Sequence, residues 1–167
     1  MGRGKTYICK HCNKKVDVLL GVGFAFPDVY QEKVADICDG KYGEEWQHLY
    51  QSEEFVAVNA ETYLYLCRKC GHWETESCMD LYVPKDTDSI RNKQYGVKTV
   101  GEWGKIPYVF GSDLKMDYNL LKGYNHKCPK CEEVMDCKDS EAAIDVYDLK
   151  CTECGNIMED GEIILWD

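Results

Sequence analysis

Four C-x-x-C pairs constrain this chain more than any other feature: Cys9/Cys12, Cys67/Cys70, Cys128/Cys131 and Cys151/Cys154. Two residues between cysteines let one tight turn aim both sulfurs at a single point. Two such turns close a tetrahedral thiolate shell with metal–sulfur bonds near ~2.3 Å. Eight of the eleven cysteines fall in these pairs, a pattern of metal ligands rather than of scattered thiols. Cys38, Cys78 and Cys137 are left over and are expected to be small buried residues. The opening M-G-R-G-K-T lacks the apolar core of a secretion signal. No apolar run approaches the ~20 residues of a membrane span. The expectation is a cytoplasmic protein without a membrane partner, whose cysteines stay reduced and bind metal.

Spacing bears on which pairs close together. Nineteen residues separate Cys131 from Cys151, within the usual range for a zinc site closed across one hairpin. Fifty-four separate Cys12 from Cys67, which calls for an insertion. A second arrangement is open, with Cys9/Cys12 closing on Cys151/Cys154 and Cys67/Cys70 on Cys128/Cys131. Once the two C-terminal pairs close locally, however, the first two have only each other. The entropy of closing their longer loop grows only with the logarithm of its length. The expected sites are therefore Cys9, Cys12, Cys67 and Cys70, then Cys128, Cys131, Cys151 and Cys154, with one zinc each.

The knuckles C-K-H-C-N at 9–13, C-R-K-C-G at 67–71, C-P-K-C at 128–131 and C-T-E-C-G at 151–155 resemble those of zinc-ribbon proteins. In such knuckles the residue after the second cysteine often takes a left-handed conformation, which suits Asn13, Gly71 and Gly155. Glu132 departs from that pattern, so the Cys128/Cys131 turn is expected to be less regular. The resemblance implies a small metal-held sheet and no particular activity. Rubredoxin knuckles are similar and hold iron, which makes iron the alternative to zinc.

The expected fold is a small α+β protein with two zinc-ribbon-like β units, the first carrying a helical insertion. The first unit is 1–84, with its insertion at about 27–52. A connecting segment, 85–123, leads to the C-terminal ribbon, 124–167. Strands are expected over Val16–Leu20, Thr62–Cys67, Gly71–Val83, Ala143–Lys150 and Glu162–Trp166. Pro27 and Asp28 start a helix with Tyr30, Val34 and Ile37 on one face and Gly40 as its stop. A second helix fits Glu44–Gln51, and the pair is expected to pack on the ribbon sheet because it is too short to stand alone. Phe24 and Phe26 are expected in the core. Lys98–Trp103 and Ile106–Phe110 suggest two strands joined around Gly104.

The net charge is −10, distributed unevenly. Residues 1–26 carry +4 and residues 124–167 carry −8. An acidic surface repels phosphate backbones at long range and suits a protein partner with a basic surface. Arg3, Lys5, Lys10, Lys14 and Lys15 nevertheless form a basic strip that keeps a nucleic-acid-binding ribbon as the alternative. A catalytic zinc keeps an open position, whereas each expected site is filled by four cysteines. The function expected is thus non-catalytic protein–protein interaction on a zinc scaffold. A rubredoxin-like or thiol-switch redox role is the third reading.

Overall fold

The computed structural model describes residues 2–138 and 148–166. It is a mixed α+β structure with several small antiparallel sheets. The chain begins with β1 (Gly2–Ile8), β2 (Lys15–Leu20), α1 (Phe26–Cys38), α2 (Glu44–Ser52) and β3 (Ala57–Val58). It continues through β4 (Thr62–Leu66), β5 (Trp73–Ser77), β6 (Leu81–Pro84), α3 (Thr87–Asn92), β7 (Gln94–Tyr95) and β8 (Lys98–Thr99). It ends with α4 (Val100–Trp103), α5 (Gly111–Asp117), β9 (Tyr118–Lys122), β10 (Asp136–Lys138) and β11 (Glu159–Trp166).

These elements form two compact units, each assembled from separated stretches of chain. The first comprises Met1–Phe24, Thr62–Ser77 and Asn125–Asp167; the second comprises Ala25–Glu61 and Cys78–Tyr124. This partition differs from the consecutive division 1–84, 85–123 and 124–167 expected from sequence. The helical insertion and the stretch treated as a connector belong to one unit.

The first unit holds two sheets of the same plan. One runs β11-β1-β2 and the other β10-β4-β5, all antiparallel. In each, a hairpin with a C-x-x-C knuckle at its tip is joined by the strand that follows a second knuckle. Alternation along β4 sends its side chains to two cores. Leu64 packs with Tyr7, Val18, Leu20, Trp73, Leu149 and Met158, whereas Tyr65 packs with Cys67, Cys128 and Met135. Burying a side chain of leucine size stabilises by about 1.5–3 kcal/mol, so this shared strand ties the sheets together. Trp73 adds a cross-link, donating its indole N–H to the Lys150 carbonyl at 2.7 Å. Glycine is needed at position 4, because a Cβ there would meet the Val18 carbonyl oxygen at 2.9 Å.

The second unit packs helices with the sheet β3-β6-β9. Pro27 lies in the first turn of α1, and Gly40 ends it with φ +77°, donating to the Ile37 carbonyl at 3.0 Å. Tyr30 and Ile37 are buried and Val34 half-buried, as the helical spacing requires. Trp46 of α2 is buried, with its N–H on the Met79 carbonyl at 2.9 Å. The helix pair therefore belongs with the β3-β6-β9 sheet of its own unit, and not to a ribbon unit.

Three local expectations are corrected. Phe26 is buried, but Phe24 is 84% exposed. Residues 100–103 form α4 rather than a strand. Thr99 and Glu102 make a reciprocal capping box, and Gly104 stops the helix with a left-handed φ of 68°. That signature outweighs the weak strand pattern. Residues 106–110 form no strand either. Pro107 has no N–H for a ladder, and the Gln31 amide and Tyr95 hydroxyl take up the carbonyls of Ile106, Pro107 and Tyr108. Of the strand expected at Ala143–Lys150, residues 143–147 lie outside the described residues. Lys150 makes an isolated bridge to Ile157.

Candidate metal centre

All four knuckles have the same backbone. The first cysteine's N–H donates to the carbonyl five residues on: Cys9 to Lys14 (2.9 Å), Cys67 to His72 (2.8 Å), Cys128 to Glu133 (2.8 Å) and Cys151 to Asn156 (2.7 Å). The residue after the second cysteine donates back to the first cysteine's carbonyl, at 2.7 Å from Asn13, 2.9 Å from Gly71, 2.8 Å from Glu132 and 2.9 Å from Gly155. Each of these four has positive φ: 60°, 71°, 60° and 74°. The Cys128/Cys131 turn is thus as regular as the others, contrary to the expectation from Glu132. The hydrogen-bonded frame forces the left-handed residue whatever its side chain.

The pairing of knuckles also differs from the one expected. Cys9, Cys12, Cys151 and Cys154 form one cluster; Cys67, Cys70, Cys128 and Cys131 form the other. The strand ladders cause this. The antiparallel ladder from Gly2↔Trp166 to Ile8↔Glu159 carries the first knuckle to the last. The ladder Asp136↔Leu66, Cys137↔Tyr65 and Lys138↔Leu64 carries the second knuckle to the third. Loop entropy favours neighbours in sequence by only about 1–2 kcal/mol, since it is logarithmic in length. Burial along two ladders exceeds that.

Charge follows the same pairing. The first knuckle carries Lys10 and is followed by Lys14 and Lys15, and the second carries Arg68 and Lys69. Glu132, Glu133 and Asp136 lie near the third, and Glu153, Glu159 and Asp160 lie in or near the fourth. Across the first cluster, Lys14 meets Glu153 at 2.6 Å, Lys10 meets Glu159 at 3.6 Å and the buried Lys5 meets Asp160 at 2.6 Å. Across the second, Arg68 pairs with Asp136, and Lys69 meets Glu133 at 3.7 Å. The direct bond holds the Lys14 ammonium above its ordinary pKa and the Glu153 carboxyl below its own. Closing the first knuckle on the second would instead have set cations against cations. Three of the five cations of the expected basic strip, Lys5, Lys10 and Lys14, are thus engaged by carboxylates.

The sulfurs lie close enough for one ion per cluster. Cys9–Cys154, Cys12–Cys151 and Cys12–Cys154 are 3.4, 3.5 and 3.7 Å apart. Cys67–Cys131, Cys70–Cys128 and Cys70–Cys131 are 3.5, 3.5 and 3.7 Å apart. A tetrahedron with ~2.3 Å metal–sulfur bonds has edges of roughly 3.8 Å. The separations are far beyond the ~2.05 Å of a disulfide, and all eight cysteines are free. Each cluster buries two sulfur residues, and the first cysteine of every knuckle is the buried one.

The thiols are tuned in opposite directions. The Asn156 side chain, with its amide N–H, pulls Cys154 down to about 6. The Cys70 amide N–H pulls Cys67 down to about 7, and the Cys154 amide lowers Cys151. The Lys14 amide pulls on Cys12, but desolvation and hydrogen bonds with Cys151, Cys9 and Cys154 outweigh it, and Cys12 is pushed up to about 12. Cys131 is likewise pushed up to about 12, the Glu133 amide notwithstanding. N–H donors stabilise some of the crowded thiols as thiolates, but not all of them together. Full deprotonation requires a cation at the centre. The donor set therefore fits a thiophilic metal ion.

Comparison with protein families, with characterised proteins and with solved structures finds no significant match. The site must be read from its own chemistry. No histidine enters either cluster among the described residues. His126 packs on Tyr65 with ring centres 4.0 Å apart and planes tilted by 37°, and His72 faces Glu74 at 3.4 Å. Of the left-over cysteines, Cys78 is buried, Cys38 half-buried and Cys137 exposed, so only Cys78 matches the expectation of burial. No described helix is long and apolar enough to cross a membrane.

Proposed function

We propose that this is a non-catalytic zinc-ribbon protein in which two structural zinc ions hold a scaffold that binds another protein. The observation that carries the reading is the pair of all-cysteine clusters, each with sulfurs spaced for one tetrahedral ion. Four thiolates leave a zinc ion no open position for water or substrate. Zinc in each shell would supply folding free energy to a unit whose sheets have only three strands each. The acidic surface favours a basic protein partner over a phosphate backbone, and the ion pairs that engage Lys5, Lys10 and Lys14 favour it further. A reducing compartment such as the cytoplasm suits free thiolates.

Elemental analysis of the purified protein tests the metal half of this reading. Two zinc ions per chain are expected. Iron in either site would replace the scaffold with an electron carrier.

A further inference from the structure

The two clusters share one frame, and one side chain sets them apart. In every knuckle the second sulfur accepts the backbone N–H two residues on: Cys12 from Lys14, Cys70 from His72, Cys131 from Glu133 and Cys154 from Asn156. Exposure matches as well, since each cluster has two buried cysteines, one half-buried and one exposed. The side chains at those four positions differ. Lys14 turns to Glu153 at 2.6 Å, and Glu133 to Lys69 at 3.7 Å. His72 puts Nε2 at 3.4 Å from Glu74, and its Nδ1 is buried with no hydrogen-bond partner among the described residues. Asn156 is the one of the four whose side chain reaches sulfur, its amide Nδ2 donating to Cys154 Sγ at 3.4 Å.

The consequence lies in how such a shell loses its ion. Four thiolates outweigh the charge of a zinc dication, and the ion leaves once a sulfur is protonated or captured. An N–H donor on sulfur offsets the excess negative charge, and outer-shell donors hold a metal ligand in place. In the second cluster the half-buried counterpart of Cys154 is Cys131, where the equivalent side chain, Glu133, is a carboxylate with no N–H to give. We infer that Asn156 is a positioning residue that makes the two centres unequal: zinc held by Cys9, Cys12, Cys151 and Cys154 is retained, and zinc held by Cys67, Cys70, Cys128 and Cys131 leaves first. Among the described residues the ion pairs push the same way, three across the first cluster against two across the second. A chain with one zinc is then the populated state as available zinc falls. The inference rests on the zinc reading and adds an order of release to it.

The test mixes zinc-loaded full chain with an excess of a chromogenic chelator. Two phases of one zinc each are expected. Iodoacetamide added after the first phase should label Cys67, Cys70, Cys128 and Cys131, read by mass spectrometry, and spare the other cluster. Asn156→Leu should speed the slow phase about tenfold, the low end for an outer-shell partner because Asn156 is exposed, and leave the fast phase unchanged. Asn156→Asp keeps the shape, removes the N–H and adds a negative charge, so it should speed the slow phase at least as much. A single phase in the parent, first labelling of Cys9, Cys12, Cys151 and Cys154, or a slow phase untouched by Asn156→Asp would overturn the inference. The last result would reduce Asn156 to filling space. Asn156 is exposed, so both variants should still load two zinc ions. Two zinc ions lost at one rate sink the order alone; a chain that binds no metal sinks the zinc reading itself.

Discussion

Glu132 shows at the scale of one residue how the knuckle overrides local preference. A non-glycine residue in the left-handed region costs about 1–2 kcal/mol, and Glu132 accepts that conformation with φ 60°. Its N–H must reach the Cys128 carbonyl for the two sulfurs to converge. Replacing Glu132 with glycine should therefore raise stability by about 0.5–1 kcal/mol, after the entropic cost of glycine in the unfolded chain is subtracted. Thermal melting of the zinc-loaded protein checks this. A lower melting temperature would mean that the glutamate side chain contributes more than its backbone loses.

At the scale of elements, much was legible in the sequence and one thing was misread. C-x-x-C spacing located all eight cluster cysteines, because two intervening residues leave the sulfurs little freedom. Helix and strand signals located α1, α2, β2, β4 and β11, where Gly40, Pro27 and alternating side chains act locally. Which knuckle closes on which depends on β1, a strand whose glycines hide it from propensity, and on β10, of which three residues are described. Neither carries a local signal. The charges carried a partial one: Lys10, Lys14, Arg68 and Lys69 in or beside the first two knuckles have partners in Glu133, Asp136, Glu153 and Glu159 near the last two, although Lys127, Lys130 and Lys150 also lie there. Lys14→Glu should speed zinc loss to a chelator by about threefold, in the range of exposed ion pairs. Adding Glu153→Lys to it should restore the parent rate. A double variant that loses zinc as fast as Lys14→Glu alone would show that the pair has no part in holding the knuckles together.

At the scale of the whole molecule, metal and core divide the work between the units. Both four-cysteine clusters fall in the first unit. The second contains Cys38 and Cys78 but no such cluster among its residues, and it buries Tyr30, Ile37, Trp46, Leu81, Val100 and Leu114 without one. Chelation should therefore strip amide-exchange protection from β1, β2, β4 and β5 while β6, α1 and α2 keep most of theirs. Hydrogen exchange read by mass spectrometry distinguishes this from a single cooperative collapse, in which every element would lose protection together.

Zinc stoichiometry of paired cysteine variants tests the central claim most directly: that the first knuckle closes on the last and the second on the third. The parent should hold two zinc ions per chain, and Cys12→Ser or Cys154→Ser alone should hold one. The double variant Cys12→Ser/Cys154→Ser should still hold one, since both changes fall in the same site, whereas Cys12→Ser/Cys70→Ser should hold none. The reverse result, one zinc with Cys12→Ser/Cys70→Ser and none with Cys12→Ser/Cys154→Ser, would contradict the account.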